Sequence, residues 1–256
     1  MEGAAVNSPV KSSDFDRRAF LKGAGIAAVA GIGGAVAPRT ARAAVTEPKV
    51  HYGMLIDLRK CTGCHACSVA CKAEFDVPLG ATRSWVEYIE KGSYPNVRRS
   101  FLPRLCNHCS EPQCVAVCPT GATWKRAEDG IVVVDPDICI GCKYCLHACP
   151  YDARFINPAT GTADKCDFCL HRVSQGLEPA CVNTCIGRAR IFGDLNDPDS
   201  EISKLIATNP VTVLRPEMGT EPNVYYIAAD HSDPHTSHAD GRYIRIETHR
   251  RQQERR

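Results

Sequence analysis

The stretch Cys106-Asn107-His108-Cys109-Ser110-Glu111-Pro112-Gln113-Cys114-Val115-Ala116-Val117-Cys118-Pro119 is followed, after a short spacer, by Cys139-Ile140-Gly141-Cys142-Lys143-Tyr144-Cys145-Leu146-His147-Ala148-Cys149-Pro150. Two cysteine quartets, each ending in Cys-Pro, flank Gly130-Ile131-Val132-Val133-Val134-Asp135, whose β-branched run predicts a strand. Working outward, Cys61, Cys64, Cys67 and Cys71 precede this centre, and Cys166, Cys169, Cys181 and Cys185 follow it. All sixteen cysteines fall into these four groups, and none is left over.

The spacing C-x₂-C-x₂-C-x₃-C-P resembles that of two-cluster bacterial-type ferredoxins, in which thiolates hold [4Fe–4S] cubes. A tight C-x₂-C-x₂-C loop lets three thiolates converge on one cube while backbone N–H groups turn toward the sulfurs. Glycine in that loop permits a positive φ or a close approach. The fourth cysteine is expected on a short helix and points elsewhere, so in two-cluster proteins it serves the other cluster. In the first quartet that fourth cysteine is followed by Lys72 instead of proline.

The chain has 256 residues and a net charge of +2, so nothing points to nucleic acid. Helical periodicity is scarce, and with so many thiols tied up, metal or disulfides are expected to replace much of the usual apolar core. The expected fold class is α+β with much irregular loop, built as a duplicated two-cluster ferredoxin-like module related by a pseudo-twofold. The duplication is read from the quartets themselves. Cys61-x-Gly-Cys-x-x-Cys-x-x-Ala-Cys71 matches Cys139-x-Gly-Cys-x-x-Cys-x-x-Ala-Cys149, with Asp57 and Asp135 each four residues upstream. Pro112-x-Cys-Val-x-x-Cys-x-x-x-Ala122 matches Pro179-x-Cys-Val-x-x-Cys-x-x-x-Ala189. Quartets one and two therefore recur as three and four.

The same symmetry pairs quartets two and three in one ferredoxin-like half, and quartets four and one in the other. Exchanging the fourth ligand gives four expected sites. They are Cys61, Cys64, Cys67 with Cys185 (site a); Cys166, Cys169, Cys181 with Cys71 (site b); Cys106, Cys109, Cys114 with Cys149 (site c); and Cys139, Cys142, Cys145 with Cys118 (site d). Structural zinc would use paired C-x₂-C units instead of triplets followed by a fourth cysteine. A disulfide framework does not explain four duplicated quartets. His65, His108, His147 and His171 stand beside the ligands, but four cysteines per cluster make histidine ligation unnecessary.

The remaining segments read as follows. Arg17-Arg18 followed by Phe20-Leu21-Lys22 resembles a twin-arginine export signal, although Asp16 stands where Ser or Thr is usual. The apolar run from Gly23 to Ala37 is short for a membrane span, and Ala41-Arg42-Ala43 offers a cleavage site; an uncleaved short anchor is the alternative. Such a pathway carries folded proteins, so clusters can be built before export. The expected divisions are a signal at 1–43, the first quartet with a long insertion at 44–105, a central unit at 106–165, a fourth-quartet segment at 166–230 and a polar, disordered tail at 231–256. Strands are expected at Val50–Leu58, Trp85–Ile89, Val211–Leu214 and Val224–Ile227, a turn at Val77–Gly80, and a helix at Glu201–Thr208. Arg98, Arg99 and Arg104 around Phe101-Leu102-Pro103 read as a solvated loop, with an electropositive docking surface as the alternative. Residues 231–238 hold three histidines, and the tail's composition favours disorder over a metal site. No apolar run of spanning length occurs after the signal.

Over residues 50–227 the chain resembles the four-cluster iron–sulfur subunits of the DMSO, polysulfide and tetrathionate reductase type. The stretches 98–109 and 164–198 resemble the DsrO branch, exported subunits of the membrane-bound Dsr complex of sulfur-metabolising bacteria; the tetrathionate reductase B branch is close behind. The resemblance implies a non-catalytic electron wire with four [4Fe–4S] clusters, periplasmic and bound to the membrane only through its complex. Its implied partners are an integral membrane quinone-interacting subunit of the NrfD type and an exported multihaem cytochrome c or, in the tetrathionate branch, a molybdopterin catalytic subunit. The residues themselves supply no nucleophile, acid–base pair or Gly-rich nucleotide loop, so catalysis by this chain is not expected.

Overall fold

The computed structural model describes residues 49–229 and the backbone of Gly241–Ile244. The expected export signal, its cleavage site and most of the tail lie outside the described residues. In chain order the elements are β1 (Tyr52–Asp57), α1 (Ala66–Phe75), β2 (Trp85–Lys91), β3 (Arg98–Arg104), α2 (Gln113–Ala116), β4 (Thr123–Lys125), β5 (Val132–Val134), α3 (Tyr144–His147), β6 (Arg154–Ile156), β7 (Ala163–Lys165), α4 (Leu170–Val173), α5 (Ala180–Asn183), β8 (Arg190–Asp194), α6 (Glu201–Thr208), β9 (Val211–Thr212), β10 (Val224–Ile227) and β11 (Gly241–Ile244). Elements are short and loops many, as expected of an α+β chain whose core must leave room for bulky groups.

Strand β1 is the spine. Its order in the largest sheet is β8-β1-β10-β9, with β10 parallel and β8 antiparallel to it. Met54, Leu55 and Ile56 are fully buried, so both faces of β1 are covered. The strand's two-residue period divides them. Met54 and Ile56 face a core that also holds Cys67, Cys106, Cys166 and Cys181. Leu55 faces a second, smaller core with Ile191, Ile202 and Ile227. Because β1 comes from segment 44–105 and its neighbours β8 and β10 from 166–230, those two segments share one sheet.

Helix α6 covers the cysteine-free side and runs over the expected residues. Ser200 caps it, its hydroxyl accepting from the Ser203 amide at 3.2 Å, and Glu201 stands in the first turn. Ile202→Ala should cost about 2–5 kcal/mol, read as a lower urea midpoint. Iron content should stay unchanged, because no cysteine belongs to this core.

The structure corrects the expected loop at 98–104. Strand β3 pairs antiparallel with β2 along its whole length, Lys91 opposite Arg98 through Trp85 opposite Arg104. Arginines and Pro103 masked this strand in the sequence. Proline is admitted because β3 lies at the sheet edge, and its carbonyl instead accepts from the Tyr226 hydroxyl at 3.0 Å. The three arginines also part company: Arg98 is exposed, Arg99 pairs with Glu90 across the strands, and Arg104 is buried. Expected strand Val211–Leu214 shortens to Val211–Thr212. The turn forms at Val77–Gly80, and the Lys72 ammonium donates to the Pro78 and Ala81 carbonyls at 3.0 and 2.6 Å. Four residues of the expected tail, Gly241–Ile244, add to β2 as an antiparallel edge strand.

Candidate metal centres

Each cysteine loop bends through left-handed backbone, and the bends recur between the copies. Gly63 and Gly141 have φ of 70° and 67°, and His65 and Lys143 have 60° and 68°. His108 and Phe168 have 43° and 55°, and Gly121 and Arg188 have 70° and 46°. Glycine is required at position 63, where a Cβ would come within 2.5 Å of the Phe101 ring, and at 141, where it would meet the Gly161 carbonyl at 2.5 Å. The bends aim amides at sulfur. Phe168 N donates to Cys166 Sγ at 3.4 Å, Ala163 N to Cys139 Sγ at 3.4 Å, and Ala189 N to Cys185 Sγ at 3.2 Å.

The strand registers repeat as well. The shift of 78 residues that carries Cys61 onto Cys139 carries Ile56 onto Val134. The shift of 67 that carries Cys114 onto Cys181 carries Thr123 onto Arg190. Thr123 pairs with Val134 in the β4–β5 hairpin, and Arg190 pairs with Ile56 between β8 and β1. The next two pairs in each ladder correspond in the same way. A hairpin between neighbours in sequence thus has its counterpart in a contact between the two ends of the domain.

Thiols converge accordingly. One cavity is lined by Cys61, Cys64, Cys67 and Cys185, and another by Cys106, Cys109, Cys114 and Cys149. Cys71 lies in the electrostatic neighbourhood of Cys181 and Cys169, and Cys166 in that of Cys71 and Cys181. For expected site d, α2, just before Cys118, packs against α3, which contains Cys145. None of the sixteen is in a disulfide.

Burial pushes eight of these thiols up. Cys71, Cys109 and Cys169 reach about 12, first through desolvation and then through neighbouring thiols. Cys166, also buried, is raised well above the usual thiol range for the same reasons. Cys118 goes the other way: burial raises it, but hydrogen bonds from Thr123, Thr120 and Ala122 outweigh that. Thiolates crowded in low dielectric need compensating positive charge, which iron supplies on binding. Among the described residues no three His, Cys, Asp or Glu side chains gather closely enough to hold a single ion. Thiols around a cavity, and not around a point, suit a cube, in which each thiolate takes its own iron.

Three of the four histidines find other work. The His108 ring is fully buried, stacks on Phe168 at 3.7 Å and accepts at Nδ1 from the Val132 amide at 3.1 Å. Desolvation, then Lys165 and Arg154, hold it well below the usual imidazole range, so it stays neutral. His65 bonds the Tyr88 hydroxyl at 2.6 Å, and His171 meets Glu74 at 2.7 Å. Sequence reasoning missed the buried cations of this core, Arg154, Lys165 and Arg190. The only signal available was that both arginines stand five residues after the last cysteine of a quartet.

Two profiles described as "4Fe-4S dicluster domain" match the chain, over residues 97–195 and 60–123. The tetrathionate reductase B subunit of Salmonella typhimurium is 47% identical over 85% of this chain and 90% of its own length. Protein NrfC of Escherichia coli K12 is 44% identical, covering 83% and 95%. A putative iron–sulfur B subunit of dimethyl sulfoxide reductase from Halobacterium salinarum is 42% identical, covering 71% and 80%. With its cysteine quartets folded around two cavities and a thiol-lined core, the chain belongs to the family of [4Fe–4S] B subunits, the non-catalytic electron-transfer components of reductase complexes.

Proposed function

We propose that the chain carries single electrons through four [4Fe–4S] clusters, with ligands drawn from sites a to d and the fourth cysteine exchanged within each half. The observation that carries this reading is the lining of the two thiol cavities, each combining a triplet with the fourth cysteine of another quartet. The matched registers of β4–β5 and β8–β1 support pairing quartet four with quartet one, and a pseudo-twofold between the copies. When bound, the cubes supply one-electron exchange at potentials the protein adjusts. The chain's own part is to bury the sulfurs, exclude water and direct amides at them.

The names of the relatives favour a terminal reductase over the Dsr-type complex that stretches 98–109 and 164–198 suggested. None of the three names reported above is that of a Dsr subunit. We take the catalytic partner to be a molybdopterin reductase subunit of the tetrathionate type and the other partner to be an NrfD-type membrane subunit. Export through the twin-arginine pathway to the periplasm follows from the residues around Arg17-Arg18. Among the described residues no helix is long and apolar enough to cross a membrane.

Anaerobically purified chain should contain about sixteen irons and sixteen sulfides. Zinc in their place, or half that iron, would overturn the four-cube reading. Pull-down from membranes should recover a molybdopterin subunit; recovery of a multihaem cytochrome alone would restore the Dsr-type assignment.

A further inference from the structure

Two buried guanidiniums stand at the thiol cavities. Arg190, the first residue of β8, lines the cavity of Cys61, Cys64, Cys67 and Cys185. It also lies in the electrostatic neighbourhood of Cys67, Cys181 and Cys166. Its Nη2 donates to Ser84 Oγ at 2.9 Å, and its Nη1 rests 3.9 Å from Met54 Sδ. Arg154, the first residue of β6, lines the cavity of Cys106, Cys109, Cys114 and Cys149. Its Nη2 donates to Cys114 Sγ at 3.1 Å and its Nη1 to Thr123 Oγ1 at 3.2 Å, and it neighbours Cys106 and Cys145 electrostatically.

The parallel is close. Arg190 neighbours Cys67 and Cys181 electrostatically, the third cysteines of quartets one and four. Arg154 donates to Cys114 and neighbours Cys145 electrostatically, the third cysteines of quartets two and three. Each arginine therefore reaches thiols of both sites in one half, and each is anchored by one hydroxyl. The duplication does not account for this, since the residue matching Arg190 in the first copy is Thr123. The half of quartets two and three takes its arginine from the strand after quartet three, the half of quartets four and one from the strand after quartet four. What the halves share is the position of the charge. Neither arginine has a carboxylate partner among the ion pairs of the described residues. Lys165, also buried, is engaged by the carbonyls of Val132 and Cys166.

We propose that Arg190 and Arg154 are potential-setting residues, each holding a fixed positive charge between the two cubes of one half and raising the reduction potential of both; this rests on the ligand reading above. A reduced cube carries one more negative charge than an oxidised one. A nearby cation and an N–H···S bond stabilise the reduced form more, so both push the potential up. A charge shared by two cubes raises them together. That keeps the electron step between them close to level, which suits a relay whose electrons pass in turn.

The test uses the full chain with its clusters assembled anaerobically, titrated with dithionite and followed by EPR. Arg190→Gln should make reduction of two of the four cubes at least tenfold less favourable, about 59 mV for a one-electron couple, and leave the other two unmoved. Arg154→Gln should do the same to the complementary two. Arg190→Lys and Arg154→Lys, which keep the charge, should restore most of the shift. Cubes kept by the lysine variants and lost by the glutamine ones would also support a charge role. Full cube content with unmoved potentials overturns the proposal, and so does equal loss in lysine and glutamine variants, which marks packing alone. Wild-type chain without four cubes would instead fail the ligand reading beneath it.

Discussion

Cys185→Ser is expected to abolish the cube of Cys61, Cys64 and Cys67, while leaving that of Cys166, Cys169 and Cys181 intact. Cys185 lies only four residues beyond Cys181 in sequence, yet it lines the cavity of the first triplet, where the Ala189 amide donates to its sulfur at 3.2 Å. Cys71→Ser should show the reverse, removing the cube of the fourth quartet although Cys71 follows the first triplet. In each variant iron should fall by about a quarter, one cube in four. The decisive comparison is spectroscopic. Cys185→Ser should extinguish the same EPR signal as Cys61→Ser, and Cys71→Ser the same signal as Cys169→Ser. If Cys185→Ser and Cys181→Ser bleach one common signal, each quartet fills its own cluster and the exchanged pairing is wrong.

Glu87→Ala should destabilise the domain by about 3–5 kcal/mol without altering any ligand. Glu87 on β2 and Arg104 on β3 form a buried ion pair at 2.9 Å, with side chains 1% and 9% exposed. Trp85 Nε1 donates to the same carboxylate at 2.9 Å, and Arg104 Nη2 reaches the Tyr151 carbonyl at 2.8 Å. The pair thus ties the β2–β3 sheet to the segment just after the third quartet. Removing the carboxylate leaves a guanidinium buried without its countercharge, which costs more than the pair itself contributes. Replacing both residues by apolar ones of similar volume should recover most of the loss. A thermal midpoint for Glu87→Ala equal to wild type, with the clusters in place, would show that the pair contributes nothing.

How much of this was legible follows from the range of each interaction. The strands Trp85–Lys91 and Val224–Ile227 and helix α6 announce themselves through local alternation, or through a serine cap followed by an apolar period. Strand β3 does not, because arginines and a proline occupy positions where a solitary segment would be a loop, and only the edge of β2 makes them a strand. The short strands β4, β6 and β7 have three residues each, too few for a periodic signal. Arg98, Arg99 and Arg104 read as one basic cluster in sequence. The fold separates them into an exposed charge, a cross-strand pair and a buried one.

By itself the sequence determined the grouping of the sixteen cysteines in fours, the duplication and the kind of group they suit. Those features are local: a cube draws its triplet from a few consecutive residues, so the spacing is written in one short stretch. Only the tertiary structure decided that β8 closes on β1 in the register of the β4–β5 hairpin, bringing Cys185 to the cavity of Cys61. It alone decided that Arg154 and Arg190 are buried beside sulfur while Arg98 is exposed and Arg104 is buried against Glu87. Burial and register depend on residues more than a hundred positions apart in the chain, as Ile56 and Arg190 are, and no local spacing encodes them.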